Sequence, residues 1–99
     1  MKKDDPIFEI ARKLSSIQRD LAAATLDAYG LEVDEIIRSG IKDKQRIECI
    51  LDRLLDAAFD EKVLMHFKKL CRHLYFIDEQ AAVFYVQSYR EMWDEESLK

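Results

Sequence analysis

A chain of 99 residues, 48% hydrophobic and 36% charged, is long enough to form one domain with a core, and its apolar content argues against disorder. The net charge of −4 disfavours general binding to nucleic acid or anionic membranes, because neutralising phosphates requires a cationic surface. Two cysteines, the lack of a signal-peptide pattern and the lack of an apolar run of about 20 residues favour a cytoplasmic protein outside the membrane.

Strong helix breakers are scarce in this chain. Pro6, Gly30 and Gly40 are the only proline and glycines. Hairpins and phosphate-binding loops need residues that turn tightly, so long helices are what this composition favours. We therefore predict a single all-α domain over residues 1–99, a four-helix bundle with helices at about 6–29, 43–58, 60–76 and 78–94 and a short extra helix near 32–39.

The first predicted helix has signals at both ends. Asp5 is a suitable N-cap before Pro6, and Gly30 is expected to end the helix. Between them, apolar residues recur in steps of three and four, which predicts a seam packed against the bundle. This seam consists of Ile7, Ile10, Leu14, Ile17, Leu21, Ala24 and Ala28. Its smaller residues predict that a neighbouring helix approaches most closely near Ala24 and Ala28.

Aspartates are expected to separate the later helices. A packed connector containing the short extra helix ends at Ser39 and Gly40, and Asp43, Asp60 and Asp78 are the N-cap candidates that follow. In the last helix, residues 81–86 are all apolar, which indicates a position either central in the bundle or shared with another chain. A β-strand is the competing interpretation of this segment.

Patterns for catalysis, cofactors and metals are weak or absent. The two glycines do not form a phosphate-binding motif, and His66 and His73 lie about 10 Å apart along one helix, too far to share an ion. Glu48, Asp52 and Asp56 form an acidic ridge that we interpret as a solvated helix face. We expect no enzymatic activity, no cofactor and no metal site.

The two cysteines are expected to differ. Cys71 lies on the apolar face of the third helix and should act as a small core residue. Cys49 lies on a polar face, where it could be a surface thiol.

The distribution of charge and aromatic residues points instead to a protein partner. The segment 62–77 has several basic residues and no acidic one, while the fourth helix has aromatic residues at helical spacing. We predict a non-enzymatic protein–protein interaction or regulatory accessory protein, self-associating through the fourth helix as a homodimer. The predicted partner-binding residues are Phe84, Tyr85, Tyr89 and Trp93 of the fourth helix, with Lys62, Lys69 and Arg72 of the third.

A DNA-binding helix-turn-helix over residues 33–55 is the alternative hypothesis. The turn at Gly40 is followed by a helix that begins with basic and polar residues, as in that motif. The predicted nucleic-acid contacts are Arg38, Lys42, Lys44, Gln45 and Arg46. The acidic ridge lies further along the same helix and would repel DNA, so nucleic acid is the less favoured partner.

Overall fold

The computed structural model describes residues 6–93, and this part of the chain forms four α-helices and no strand. The helices are α1 (Pro6–Ser39), α2 (Lys44–Asp56), α3 (Glu61–Tyr75) and α4 (Glu79–Trp93). The predicted all-α, four-helix architecture is confirmed. The strand interpretation of residues 81–86 is wrong, because these residues lie within α4. The predicted cap at Asp5 and the end of the last helix at residue 94 lie outside the described residues.

α1 is longer than the sequence indicates. It runs without a break through Gly30, so the predicted end at residue 29 and the separate short helix near 32–39 are both wrong. A glycine within a helix costs about 1 kcal/mol relative to alanine. Here Val33 and Ile36, which follow Gly30, are fully buried in the core, and their burial outweighs that cost.

Gly40 is the glycine that ends a helix. Its φ is +65°, in the left-handed region that favours glycine. Its N–H donates to the carbonyl of Ile37 at 3.3 Å, and the N–H of Ile41 donates to the carbonyl of Ile36 at 3.0 Å. These two bonds are the Schellman arrangement, which satisfies the last carbonyls of α1 and turns the chain toward α2.

The predicted aspartate caps of the later helices are confirmed. Each aspartate side chain accepts hydrogen bonds from backbone N–H groups that have no partner within the helix. Asp43 accepts from Arg46 at 3.2 Å, Asp60 from Lys62 and Val63 at 3.0 and 3.1 Å, and Asp78 from Ala81 at 3.1 Å.

α3 is the central helix of the domain. It packs against each of the other three helices and buries five residues, namely Val63, Phe67, Leu70, Cys71 and Leu74. The prediction that the fourth helix could be central is wrong, because α4 buries only Ala82 and Tyr85 and leaves the rest of its apolar segment 81–86 on or near the surface. The expected burial of Cys71 and exposure of Cys49 are confirmed.

α1 joins the core only through its second half. Its buried residues are Ala22, Thr25, Gly30, Val33 and Ile36, whereas the predicted seam is exposed along its whole length. The predicted close approach at Ala24 and Ala28 is therefore wrong. The buried face begins at Ala22, one residue after Leu21 of the seam, and one residue rotates the side chain by about 100° around the helix.

The first half of α1 projects from the body of the domain. All side chains of residues 6–21 are exposed, and this segment is roughly 24 Å long at 1.5 Å per residue. The principal-axis extents are 55 × 33 × 17 Å, and the radius of gyration is 16.1 Å. A compact domain of this size has a radius of about 13 Å. Within residues 6–93, no helix is both long and apolar enough to cross a membrane.

Candidate functional site

Four large aliphatic side chains form an exposed row on the projecting half of α1. Ile10, Leu14, Ile17 and Leu21, which we call the α1 stripe, are 61, 54, 62 and 43% exposed. None of them belongs to the core or to the partly buried side chains that pack against it. Ile7, also exposed, continues the row toward the N-terminus. Helical spacing therefore lines up apolar side chains that the domain does not cover.

The α1 stripe lies to one side of the face of α1 that packs on the body of the domain. Extending the buried face of α1 backwards from Ala22 leads to Ser15, Gln18 and Arg19, which are polar and line an open groove of about 470 Å³ beside Phe59. The stripe lies about a third of a turn from this polar face, at 100° per residue. Helices α2 and α3 pack on the buried face, and α2 also contacts the flank of α1 through the Arg46–Glu32 ion pair.

The exposed row extends beyond the projecting half. Ala24 and Ala28 continue it with small side chains, and Leu31, one turn further, is 84% exposed. The apolar seam identified in the sequence therefore does lie along one side of α1, but that side is exposed. A second apolar face of the same helix is the buried one, and the sequence pattern did not reveal it.

Three of the four predicted aromatic anchors of α4 serve the core. The Tyr85 hydroxyl donates to Asp52 Oδ1 at 2.8 Å and to the carbonyl of Glu48 at 3.2 Å. The Trp93 Nε1–H donates to the carbonyl of Leu55 at 2.8 Å. Because each partner lies on α2, these bonds fix α4 against α2.

Ring contacts complete the role of these aromatics in packing. Tyr89 is half-buried, with its ring centroid 5.9 Å from that of Phe67. The Trp93 and Phe59 rings meet edge to face at 5.5 Å. Of the predicted anchors, Phe84 alone is exposed, at 64%, and the exposed Val83 and Val86 lie about 100° and 160° around the helix from it. We call these three residues the α4 patch.

The predicted cations of α3 divide between two surface depressions. Lys69 and Arg72 join Arg38 of α1 around an open groove of about 460 Å³, which we call the cationic groove. Lys62 lines a separate depression. Phe76, which is 82% exposed, supplies an apolar wall of the cationic groove. Sequence analysis missed Phe76 because it follows α3 outside any periodic stripe.

The cationic groove also contains groups that limit its charge. Asp34 Oδ1 lies 3.8 Å from Lys69 Nζ, a contact between two half-exposed side chains. The His73 Nε2 donates to the carbonyl of Ile41 at 2.7 Å, because a carbonyl oxygen only accepts. His73 therefore ties α3 to the turn after α1. Arg38 and Arg72 remain as the cations most available to an anionic partner.

Two of the predicted nucleic-acid contacts are held in ion pairs within the domain. Arg46 Nε lies 2.8 Å from Glu32 Oε2. Lys44 pairs with Asp78, and its Nζ lies 3.8 Å from Glu48 Oε2. The hydrogen bond and charge of Asp78 raise the pKa of Lys44, and the same contact lowers the pKa of Asp78.

The other predicted nucleic-acid contacts, Arg38, Lys42 and Gln45, are exposed. The would-be recognition helix thus begins with cations that are partly neutralised by neighbouring acids. This arrangement weakens the electrostatic attraction on which DNA binding depends.

Cys71 and Tyr85 are two titratable side chains whose pKa values are raised by burial. Burial raises the pKa of the Cys71 thiol to about 12, which opposes formation of the nucleophilic thiolate. Burial, followed by the hydrogen bond to Asp52, raises the pKa of Tyr85. Across residues 6–93, no three histidine, cysteine, aspartate or glutamate side chains come together as a metal site.

Comparisons with protein-family models, with curated proteins and with solved structures find no match to this chain. The α1 stripe, the α4 patch and the cationic groove are therefore interpreted from their own geometry and chemistry.

Proposed function

We propose that this protein is a non-enzymatic protein–protein interaction module that associates through the α1 stripe. The observation that carries the proposal is a projecting helix with Ile10, Leu14, Ile17 and Leu21 in one exposed row. Contiguous exposed apolar surfaces in soluble proteins mark interaction sites, because covering them removes apolar area from water. The partner is a helix whose apolar face fits between these side chains.

The proposal gives α1 the role that the sequence assigned to the fourth helix. Tyr85, Tyr89 and Trp93 pack within the domain, so association through α4 depends on the smaller α4 patch. Self-association through the α4 patch stays a prediction. The α1 stripe has more large aliphatic side chains, and they lie on the half of α1 that projects from the body.

The cationic groove supports the same class of function. Its Arg38 and Arg72 flank the apolar Ile37 and Phe76, a combination suited to an acidic segment with an apolar anchor. This surface is separate from the α1 stripe, so it would select a partner by charge while the stripe supplies apolar contact.

DNA binding is the alternative, and the ion pairs of Lys44 and Arg46 argue against it. We expect a gel-shift titration at low salt to show no retained complex. Binding that weakens steeply with salt, and that is lost when Lys44 and Arg46 are changed to glutamate, would instead support the helix-turn-helix hypothesis.

The interaction proposal is tested by affinity capture from the native cell extract with three forms of the chain. The first is wild type, and the second is Leu14→Glu/Ile17→Glu, which places two charges in the α1 stripe. The matched control is Ser16→Glu/Ala23→Glu, which adds the same charges to exposed positions of α1 on the opposite side. Circular dichroism verifies that all three remain helical.

We expect wild type and the control to retain the same proteins, including any second copy of the chain, and the stripe variant to lose them. Equal retention by all three forms would contradict the proposed role of the stripe. A parallel Arg38→Glu/Arg72→Glu variant asks whether the cationic groove contributes to retention.

A further inference from the structure

We infer that the α1 stripe binds the α1 stripe of a second copy of this chain, lying antiparallel, with Lys13 of one copy opposite Asp20 of the other. This inference rests on the proposed function and names its partner. It follows from three features of residues 6–31: the symmetry of the stripe, the charges along its edge and the direction in which it faces.

The α1 stripe is symmetric about its own midpoint. Ile10 and Leu21 lie equally far from a point between residues 15 and 16, and so do Leu14 and Ile17. When two antiparallel copies align at this point, Leu14 meets the partner's Ile17, and Ile10 meets the partner's Leu21. A twofold axis then produces four layers of large aliphatic pairs from one surface, as an isologous dimer requires.

Charges beside the stripe are complementary in this arrangement. Lys13 and Asp20 each precede a leucine of the stripe by one residue, so both lie along the same edge of it. In an antiparallel pair with this alignment, that edge of one helix meets the same edge of the other. Lys13 then faces the partner's Asp20, and Asp20 faces the partner's Lys13, giving two equivalent attractive contacts. Residues at such edges set partner choice and orientation in coiled coils.

Other alignments lose this complementarity. Sliding the antiparallel helices by one heptad in either direction brings Lys13 opposite the partner's Lys13, or Asp20 opposite the partner's Asp20. A parallel pair in register places Asp27 beside the partner's Glu32, which are like charges, and Lys13 beside the neutral Gln18 of the partner subunit. The charges therefore select one orientation and one register.

The surroundings of the stripe leave room for a second helix. The stripe lies about a third of a turn from the face of α1 that packs on α2 and α3, and the polar residues Ser15, Gln18 and Arg19 occupy the side nearer the body. In the antiparallel pair, the two bodies lie at opposite ends of the paired helices.

The test is a charge-reversal experiment read by light scattering after size exclusion and by sedimentation equilibrium. We expect wild type to show a reversible monomer–dimer equilibrium that Ile17→Glu abolishes. Lys13→Glu and Asp20→Lys each convert two attractive contacts into two repulsive ones. Each should weaken dimerisation by about tenfold, an effect that shrinks with added salt.

Restoring dimerisation by exchanging the two charges distinguishes this arrangement from a dimer in another orientation or register. The double variant Lys13→Glu/Asp20→Lys should dimerise like wild type, because each contact is attractive again with reversed signs. An equimolar mixture of the two single variants should also form a heterodimer, since the introduced glutamate of one chain then faces the introduced lysine of the other. Arg19→Glu, which changes charge on the polar side of α1, is the matched control and should leave dimerisation unchanged.

Several results would overturn the inference. They are a monomeric wild type at its highest soluble concentration, a dimer insensitive to Ile17→Glu, or single variants that neither the double variant nor the mixture restores. If the chain is monomeric while capture from extract still depends on the stripe, the second copy is the wrong partner and the proposed function stands. If capture is also independent of the stripe, both fail.

Discussion

Tyr85, like Trp93, is a polar link between the outer helix α4 and the rest of the domain. Its ring is buried, and its hydroxyl bonds to Asp52 and to the carbonyl of Glu48, both on α2. Burying a hydroxyl without partners is costly, so these bonds are what permit a tyrosine at this position. Tyr85, which was predicted to anchor an interface, therefore packs within its own domain.

Replacing Tyr85 with phenylalanine should lower the free energy of unfolding by about 1 kcal/mol, since the ring stays buried and only the hydrogen bonds are lost. Urea unfolding followed by circular dichroism measures this. Tyr89→Phe is the matched control, because its ring is half-buried against Phe67 and its hydroxyl forms no hydrogen bond within residues 6–93. Equal losses from the two substitutions would contradict the structural role given to the Tyr85 hydroxyl.

Cys71 makes stability depend on pH in the alkaline range. Its folded-state pKa of about 12 lies above that of an exposed thiol, so folding favours the neutral form. Its contribution is fully present below the unfolded pKa of about 9 and is lost as pH rises toward the folded value. The free energy of unfolding should therefore fall above pH ~9, with a slope that approaches about 1.4 kcal/mol per pH unit for this one proton.

Urea titrations of wild type and Cys71→Ala between pH 8 and pH 10 isolate the thiol, because Tyr85, whose pKa is also raised, contributes equally to both. Cys71→Ala should be less stable at neutral pH because it loses packing, but its stability should vary less across this range. Cys49→Ala, at an exposed position, should retain the wild-type slope. An unchanged slope in Cys71→Ala would show that another group causes the alkaline loss.

At the scale of the helices, alanine substitution of the two glycines, one within α1 and one in the turn after it, should change the free energy of unfolding in opposite directions. Gly30 is helical, and an added Cβ would lie 3.7 Å from His66 Nε2, an ordinary van der Waals contact. Gly30→Ala should therefore stabilise the domain by about 0.5–1 kcal/mol through helix propensity. Gly40 has open space around it but a φ of +65°, so Gly40→Ala should cost about 1–2 kcal/mol.

Thermal and urea unfolding of both variants provide the measurement. If α1 were broken at Gly30, as the sequence predicted, Gly30→Ala would instead be destabilising. The sign of that single change therefore separates one continuous helix from two short ones.

Helix starts were predictable from sequence, whereas the extent and orientation of α1 were not. Asp43, Asp60 and Asp78 cap their helices as expected, because a cap depends on groups within three residues of it. Gly30 fits either a helix end or a buried helical position, and the core residues that follow it decide the outcome. Such tertiary contacts are not encoded in local spacing.

The apolar residues of the α1 stripe were identified from their spacing, but they were predicted to be buried and are exposed. Spacing identifies the apolar row that includes Leu14 and Ile17, yet a helix with two apolar faces does not reveal which one is buried. The aromatic residues of α4 were predicted to form an interface, and most of them pack in the core instead, because the same spacing fits a core face and an interface. Exposure, which only the packed structure supplies, distinguishes Phe84 from Tyr85.

At the scale of the whole molecule, the domain consists of a compact body and a projecting helix. Every residue of the hydrophobic core lies at Ala22 or beyond it. The projecting half of α1 forms without the cost of nucleation, because it extends a helix already held by the body. The apolar row can therefore stay exposed on a helix that costs the fold little free energy to form, as a surface used for association requires.

Removing residues 1–19 should separate folding from association. Asp20 remains as a potential N-cap for the shortened helix, and every core residue is kept. We expect the free energy of unfolding of the monomer to change by less than about 1 kcal/mol, since the side chains of residues 6–19 are exposed. The unfolding midpoint of the full chain should rise with protein concentration through mass action, and that dependence should vanish in the shortened chain. Urea unfolding at several concentrations, with light scattering, measures both effects. A shortened chain that fails to fold would mean that the projecting half packs on the body, contrary to its exposure in the structure.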